Sequence, residues 1–324
     1  MRVVIFKMSS LIMKTVFMFP GQGSQSIGMM SQLLAESERA RNVFVEASDA
    51  IGQDLLVIAA SGPESVINQT AITQPIVLTA SVAMWEVWKQ HTDMLPDFVC
   101  GHSLGEYTAL VASGVLSLKE AVYLVHIRGQ LMQTAVPEGE GGMAALLGLA
   151  DELVVQACDE AAQGDIVAPA NFNSPGQVVI SGATEALERA IVIAKEKGAK
   201  RAAKLPVSVP CHCDLLKPAS EALAAEMNKL AFHAPSLPIM QNVNAGLTQD
   251  QSELKANLLT HLYSPVLWSQ SISGLISEGA SLFIECGPGK VLSGLNKRID
   301  KTVQSLSMDD LASMKVVLES INAN

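Results

Sequence analysis

Five consecutive residues, Gly101-His102-Ser103-Leu104-Gly105, constrain this chain more tightly than any others. They follow a short strand-like run, Asp97 to Cys100, and lead into a helical pattern from Glu106 to Ser113. In that context a G-x-S-x-G sequence predicts a tight strand-to-helix turn, because glycines two before and two after the serine let it rise out of the sheet. The N-terminus of the following helix sets backbone N–H groups beside Ser103, where an oxyanion would form. A purely structural glycine-rich turn is the alternative. With strand, turn and helix in register, Ser103 reads as a nucleophile.

The alternation of strand and helix continues on both sides of this turn. Thr15 to Phe19 is a β-rich apolar run that stops at Pro20-Gly21, and Gln241 to Val243 and Leu282 to Glu285 are further strands. Met29 to Ala50 and Gln74 to Gln90 are helical in pattern. Strands alternating with helices imply a parallel sheet covered on both faces. Residues from about 141 to 208 read differently. Met143 to Leu149, Ile166 to Asn171, Gln177 to Ser181 and Arg201 to Val207 are strands, with helices over Asp151 to Gln163 and Thr184 to Lys197. That β-α-β-β-α-β order is the ferredoxin-like pattern, an antiparallel sheet with two helices on one face. The expected organisation is a discontinuous large domain of residues 14–138 and 209–324, an inserted small domain of residues 139–208, and an N-terminal extension of residues 1–13.

A chain of 324 residues, 49% hydrophobic and 17% charged, can bury cores of this kind, and the composition excludes disordered, collagen-like and disulfide-stapled classes. Acidic residues outnumber basic ones by 32 to 22, for a formal charge of -10 and a pI near 5.1. Such a surface repels nucleic acid and anionic membranes, so neither is an expected partner. Five scattered cysteines read as reduced thiols of a cytoplasmic protein. Cys211 and Cys213 flank one histidine but lack a second ligand cluster, so no metal is expected. The longest uncharged stretch, Ser65 to Trp85, carries Asn68, Gln69, Gln74 and Pro75, unlike a membrane helix. The first residues lack the apolar run and cleavage site of a secretion signal.

A serine nucleophile needs a base, normally histidine. Of the six histidines, His102 adjoins Ser103 and should point away from it, His91 follows a helix in a polar stretch, and His126 lies within a helical pattern. His212 sits in VPCHCD, where the small domain returns to the large one. Clefts form at such junctions, so placement favours His212. Arg128 has two readings: a surface arginine whose stem crosses apolar neighbours, or a pocket cation that receives a carboxylate bidentately. The loops Pro20 to Gln25 and Cys286 to Lys290 are glycine-rich, but neither has the spacing of a Walker loop or a dinucleotide fingerprint. No cofactor is implied.

Beyond the single turn, an ordered set of motifs resembles the malonyl-CoA:acyl carrier protein transacylases of fatty-acid synthesis. The set comprises FPGQGSQ from Phe19, GHSLGEYTAL from Gly101, Arg128 followed by GQLM, GGMAALLGL from Gly141 and NFNSPGQVVISG from Asn171. LPVSVPCHCDLLKPA from Leu205, QNVNA from Gln241 and ECGPGKVLSGLNKRI from Glu285 complete it, covering about Thr15 to Ile299. The resemblance implies an α/β-hydrolase-like large domain with a mainly parallel sheet plus the inserted ferredoxin-like small domain. It implies that Ser103 accepts the malonyl group as an ester, that His212 is general base and then acid, and that the backbone N–H groups of Gln22 and Leu104 form the oxyanion hole. Arg128 would pair with the free malonyl carboxylate, and Met132 and Asn171 would line the acyl and pantetheine region. Malonyl-CoA and acyl carrier protein are the implied partners, and the protein is expected to act as a monomer.

One position departs from the family pattern. Before LY-x-PV the bacterial family usually has a glutamine whose carbonyl accepts a hydrogen bond from the catalytic histidine; here the residue is His261. A neutral imidazole could accept the same bond through its unprotonated nitrogen and an imidazolium could not, which predicts a steep loss of activity in mild acid, near the ordinary histidine value of about 6.5. The densest positive stretch, Lys195 to Lys204, includes Lys200 and Arg201. It reads either as a docking patch for an acidic carrier protein or as a solvated helix end. Three rivals share parts of this pattern: a serine thioesterase or esterase, a non-catalytic carrier-binding module, and the same transfer in polyketide synthesis.

Overall fold

The computed structural model describes residues 13–207 and 209–322. The expected extension therefore lies outside the described residues except for Met13. Among the described residues ten strands build two sheets: β1 (Lys14–Phe19), β2 (Phe98–Gly101), β3 (Gly141–Leu147), β4 (Val167–Ser174), β5 (Gln177–Ala183), β6 (Arg201–Lys204), β7 (Ile239–Gln241), β8 (Gly246–Thr248), β9 (Ala280–Cys286) and β10 (Gln304–Met308).

The first sheet has the order β10-β9-β1-β2-β7-β8. Every pairing in it is parallel except that of β7 with β8. Central parallel strands are covered on both faces, so they read as unbroken apolar runs. β1 fits: Val16, Phe17, Met18 and Phe19 are each 0% exposed. The period of two splits them. Phe17 meets the edges of Trp85 and Trp88 at 5.6 and 5.1 Å on one face, while Val16 and Met18 join Trp268 and Phe283 in a separate cluster on the other.

Trp85 and Trp88 lie on the helix Thr70–His91. The sequence pattern placed its start at Gln74, but it begins a turn earlier, with Pro75 inside. A proline has no N–H to give the carbonyl four residues back. His126 Nδ1 takes that place, 2.8 Å from Ala71 O. His126 comes from the helix Leu118–Ala135, which a capping box of Ser117 and Glu120 starts. The two helices touch closely at Gly129, where a Cβ would lie 2.6 Å from Ala71 Cα. This crossing fixes Gln74 and Arg128 relative to each other. The single helix expected over Met29 to Ala50 is two, Ser31–Glu36 and Glu38–Ile51. Ser37 turns extended between them and caps the second through Ala40 N.

The second sheet is antiparallel, in the order β4-β5-β3-β6. The helices Asp151–Ala162 and Thr184–Glu196 cover one face, burying Val154, Cys158, Leu187 and Ala190 against Leu146, Val178 and Ile180. Met143, Ala170 and Val179 form the opposite face with Leu205 and Cys211. Backbone hydrogen bonds tie β4 to Val266, which lies outside both sheets: Phe172 N donates to Val266 O at 2.9 Å and Val266 N to Ala170 O at 2.8 Å. Among the described residues no helix is long and apolar enough to cross a membrane.

Candidate active site

Ser103 sits between β2 and the helix Gly105–Ala112 with φ of 51°, a left-handed conformation unusual for a residue bearing a Cβ. The flanking glycines explain the spacing of the motif. A Cβ on Gly101 would lie 1.9 Å from the Gly105 carbonyl carbon, and one on Gly105 would lie 2.0 Å from Phe19 O. Strand, turn and helix cross too closely for any other residue. Gly21 is equally confined, 2.3 Å from His102 O for an added Cβ, which brings the Gln22 loop against the turn. Neither Gln22 N nor Leu104 N donates to a protein acceptor among the described residues.

His212 reaches Ser103 from across the fold. His212, also at positive φ (61°), holds Nε2 2.8 Å from Ser103 Oγ. Its Nδ1 faces two carbonyls, His261 O at 2.8 Å and Ser264 O at 3.2 Å. Carbonyls only accept, so Nδ1 carries the proton and Nε2 is free to take one from the serine. The acceptor is therefore the main chain of His261, and the expectation that its ring would accept this bond is corrected. The ring instead stacks on that of His212, centroids 4.7 Å apart, with Nδ1 2.6 Å from Glu106 Oε2. Burial first, then the neighbouring His261 and Arg128, hold His212 well below 6.5. Burial first, then Arg128 and His102, do the same for His261. The acid limb expected near 6.5 thus moves to lower pH.

Arg128 is 1% exposed, so the surface reading of this residue fails. Nη1 donates to Gln74 Oε1 at 2.6 Å and Nη2 to Ser103 Oγ at 3.4 Å, while Nε has no partner among the described residues. The guanidinium lies 5.4 Å from the centre of the Tyr107 ring. Its hydrogen-bond partners are thus all neutral, an arrangement that favours an incoming anion. Met132, one turn on, is buried and takes Gln74 Nε2 on its sulfur at 3.5 Å.

His102 turns away from Ser103, its Nε2 2.8 Å from Asn173 Oδ1 of β4 and its ring 5.4 Å from Trp268. Asn171 is buried where β4 meets Val266. A cleft of about 340 Å³ opens beside Gln22, between Asn68 and Thr70 on one side and Pro206 and Val207 on the other. Lys200 and Arg201 are exposed at the start of β6, the stem of Lys200 lying along Gly148. Nearby, Lys197 and Lys204 already pair with Glu160 and Glu188.

Sequence reasoning did not single out Asn242 or Glu106. Asn242 Oδ1 accepts the Ser103 N–H at 2.8 Å, its Nδ2 donates to Gly101 O at 2.8 Å, and its own N–H donates to Glu106 Oε1 at 3.0 Å. Both residues lie in the quoted motifs, QNVNA and GHSLGEYTAL, which were the available signal.

A serine on a glycine-flanked turn, 2.8 Å from a buried histidine and beside a buried cation in a mixed α/β frame, fits serine acyl-transfer chemistry, to water or to a thiol. The acyl transferase domain family matches residues 16–319. The malonyl CoA-acyl carrier protein transacylase of Salmonella typhimurium is 48% identical over 302 residues, 93% of this chain and 98% of that one. An acyl carrier protein S-malonyltransferase from Vibrio cholerae superposes with a TM-score of 0.92 at 49% identity, covering 94% of this chain and 99% of that chain. A malonyl-transacylase solved in complex with a type II polyketide acyl-carrier protein gives 0.93 at 46% identity, covering 95% and 99%. The chain belongs to the malonyl CoA-acyl carrier protein transacylase family.

Proposed function

We propose that this enzyme moves a malonyl group from coenzyme A to the phosphopantetheine thiol of an acyl carrier protein through an ester on Ser103, supplying fatty-acid synthesis. Ser103 Oγ attacks the thioester carbonyl carbon as His212 Nε2 takes the hydroxyl proton. The Gln22 and Leu104 N–H groups hold the oxyanion, each worth roughly 3–4 kcal/mol in such sites. Collapse breaks the carbon–sulfur bond, and His212 returns its proton to the leaving thiolate. The carrier thiol then repeats the sequence in reverse, leaving Ser103 free.

The observation that carries this reading is the guanidinium of Arg128, buried among neutral partners and 3.4 Å from the nucleophile. Malonyl differs from acetyl by one carboxylate close to the reacting carbonyl, and a hydrolase acting on simple esters has no use for a cation there. Acyl groups without the carboxylate would leave Arg128 underpaired. Met132 and Asn171 would flank the acyl group and the pantetheine arm, and the cleft beside Gln22, which neither of them lines, would be the way in.

The β3 to β6 order supports assigning residues 139–208 to the ferredoxin-like class, and the parallel sheet with its nucleophile turn supports an α/β-hydrolase-like assignment for residues 14–138 and 209–324. Lys200 and Arg201 serve as docking charges for an acidic carrier protein, supported by their exposure on a chain of charge -10. The five free cysteines support action in the reducing cytoplasm, and the acidic balance argues against nucleic acid as a partner. The protein acts as a monomer in this scheme, since His212, Ser103 and Arg128 come from one chain.

Intact-protein mass spectrometry after brief exposure to malonyl-CoA tests the reading. The expected result is a malonyl adduct that Ser103→Ala abolishes, that persists in water and that discharges onto carrier protein. An adduct that hydrolyses without an acceptor would make the protein a thioesterase, and no adduct would overturn the Ser103 ester.

A further inference from the structure

Glu106 adjoins the motif that carries Ser103, yet the acyl-transfer scheme leaves it without a part. It is 2% exposed and pairs with no arginine or lysine among the described residues. A carboxyl group is rarely buried this deeply without a partner of opposite charge. Its two oxygens reach the two halves of the machinery. Oε1 accepts the Asn242 backbone N–H, and Asn242 Oδ1 accepts the Ser103 N–H. Oε2 lies 2.6 Å from the ring of His261, whose carbonyl accepts the His212 Nδ1–H. The Ser103 Oγ to His212 Nε2 contact of 2.8 Å closes the circuit.

We propose that Glu106 is a positioning residue, a single carboxyl group that holds nucleophile and base in register through Asn242 and His261. The proposal rests on Ser103 and His212 as the reacting pair. Two lone pairs do not approach to 2.6 Å, so one proton lies between Oε2 and His261 Nδ1. The ionisable groups facing Glu106 are Arg128 from the helix Leu118–Ala135, His102 from the turn, His261 from the helix Gln251–His261, Cys100 from β2 and Tyr107 beside it. Burial outweighs Asn242 N–H, Arg128 and His102, and pushes Glu106 up to about 8. The carboxyl is then neutral at pH 7. Its ionisation at higher pH sets a negative charge close to where the oxyanion forms.

The test is malonyl transfer to carrier protein by the full chain, from mild acid to alkaline pH, for the wild type, Glu106→Ala, Glu106→Gln and His261→Gln, with thermal melting of each. Glu106→Ala should lower kcat about 10- to 100-fold while KM for malonyl-CoA stays within about twofold, as expected for lost alignment of reacting groups. Glu106→Gln should recover most of that loss, because its amide oxygen still accepts from Asn242. It should also remove the alkaline fall expected of the wild type through about pH 8. His261→Gln removes the ring that Oε2 meets and leaves the main-chain acceptor of His212 in place, so it should lower kcat less than Glu106→Ala does.

An unchanged kcat in Glu106→Ala would overturn the proposal, as would identical alkaline limbs in the wild type and Glu106→Gln. If Glu106→Ala does not fold, the Glu106→Gln profile decides alone. The same samples, labelled with malonyl-CoA beside Ser103→Ala, separate the two readings. An ester that survives Ser103→Ala brings down both, whereas an ester lost in Ser103→Ala with unaltered Glu106 variants brings down only the positioning role.

Discussion

Replacing Arg128 by alanine separates recognition of the acyl group from the chemistry of transfer. The guanidinium is 1% exposed, among the described residues is bonded only to Gln74 and Ser103, and lies over Tyr107. Removing one member of a buried arginine–carboxylate pair costs about 3–5 kcal/mol, which is roughly 150- to 5,000-fold in kcat/KM. Malonyl-CoA should lose that factor in Arg128→Ala. An acetyl group has no carboxylate to lose, and it already leaves the wild-type guanidinium underpaired, so acetyl transfer should hold its rate or rise. The measured quantity is the ratio of kcat/KM for malonyl-CoA to that for acetyl-CoA, with thermal melting as the check on folding. A ratio that moves less than about tenfold, or equal slowing of both substrates, would refute a carboxylate clamp at this position.

Three further outcomes are expected. Gly105→Ala drives a methyl to 2.0 Å from Phe19 O and 3.1 Å from Pro20 O, atoms of the main chain that cannot swing aside; it should cost about 3 kcal/mol or more, read as a fall in urea midpoint. Gly294→Ala, whose methyl meets nothing within 4 Å, is the control and should not lower that midpoint. Because His212 sits well below 6.5 when folded, the acid limb of kcat/KM should lie below 6.5, and a midpoint at 6.5 would contradict its burial. For stability the sign follows from His212 and His261 together: the unfolded chain takes up protons that the folded one refuses, so their contribution is full above 6.5 and is lost as pH falls from there toward the folded values. Charge reversal at Lys200 and Arg201 should raise KM for carrier protein and spare that for malonyl-CoA; equal effects on both would end the docking assignment.

The parts of this site that were legible in the sequence are those that local chemistry dictates. The turn at Ser103 was readable because its glycines serve a crossing that any sequence of this spacing must make, and β1 because unbroken Val16 to Phe19 has no other use. His212 was readable by its place between two units. The role of its neighbour was not. Whether the ring or the carbonyl of His261 serves the base depends on how the helix Gln251–His261 ends, which no local pattern records. Asn242 and Glu106 are 136 residues apart and meet only through the pairing of β2 with β7. β7 was placed two residues late, at Gln241 to Val243 for Ile239–Gln241, because three-residue strands such as β7 and β8 are too short for alternation to mark, and β10, Gln304–Met308, carries serines that weaken its apolar signal.

The junction at Val266 has a consequence for turnover. Two backbone hydrogen bonds to β4, with the His102–Asn173 contact close by, pin the antiparallel sheet to the frame that carries the nucleophile. A wall fastened on that side is a fixed jaw. In the proposed transfer, exchange through the cleft beside Gln22 and Val207 would require coenzyme A to clear the passage before the carrier arm enters, with the serine ester holding the acyl group in the interval. The strict alternation of a double displacement would then be a property of the scaffold as much as of the chemistry.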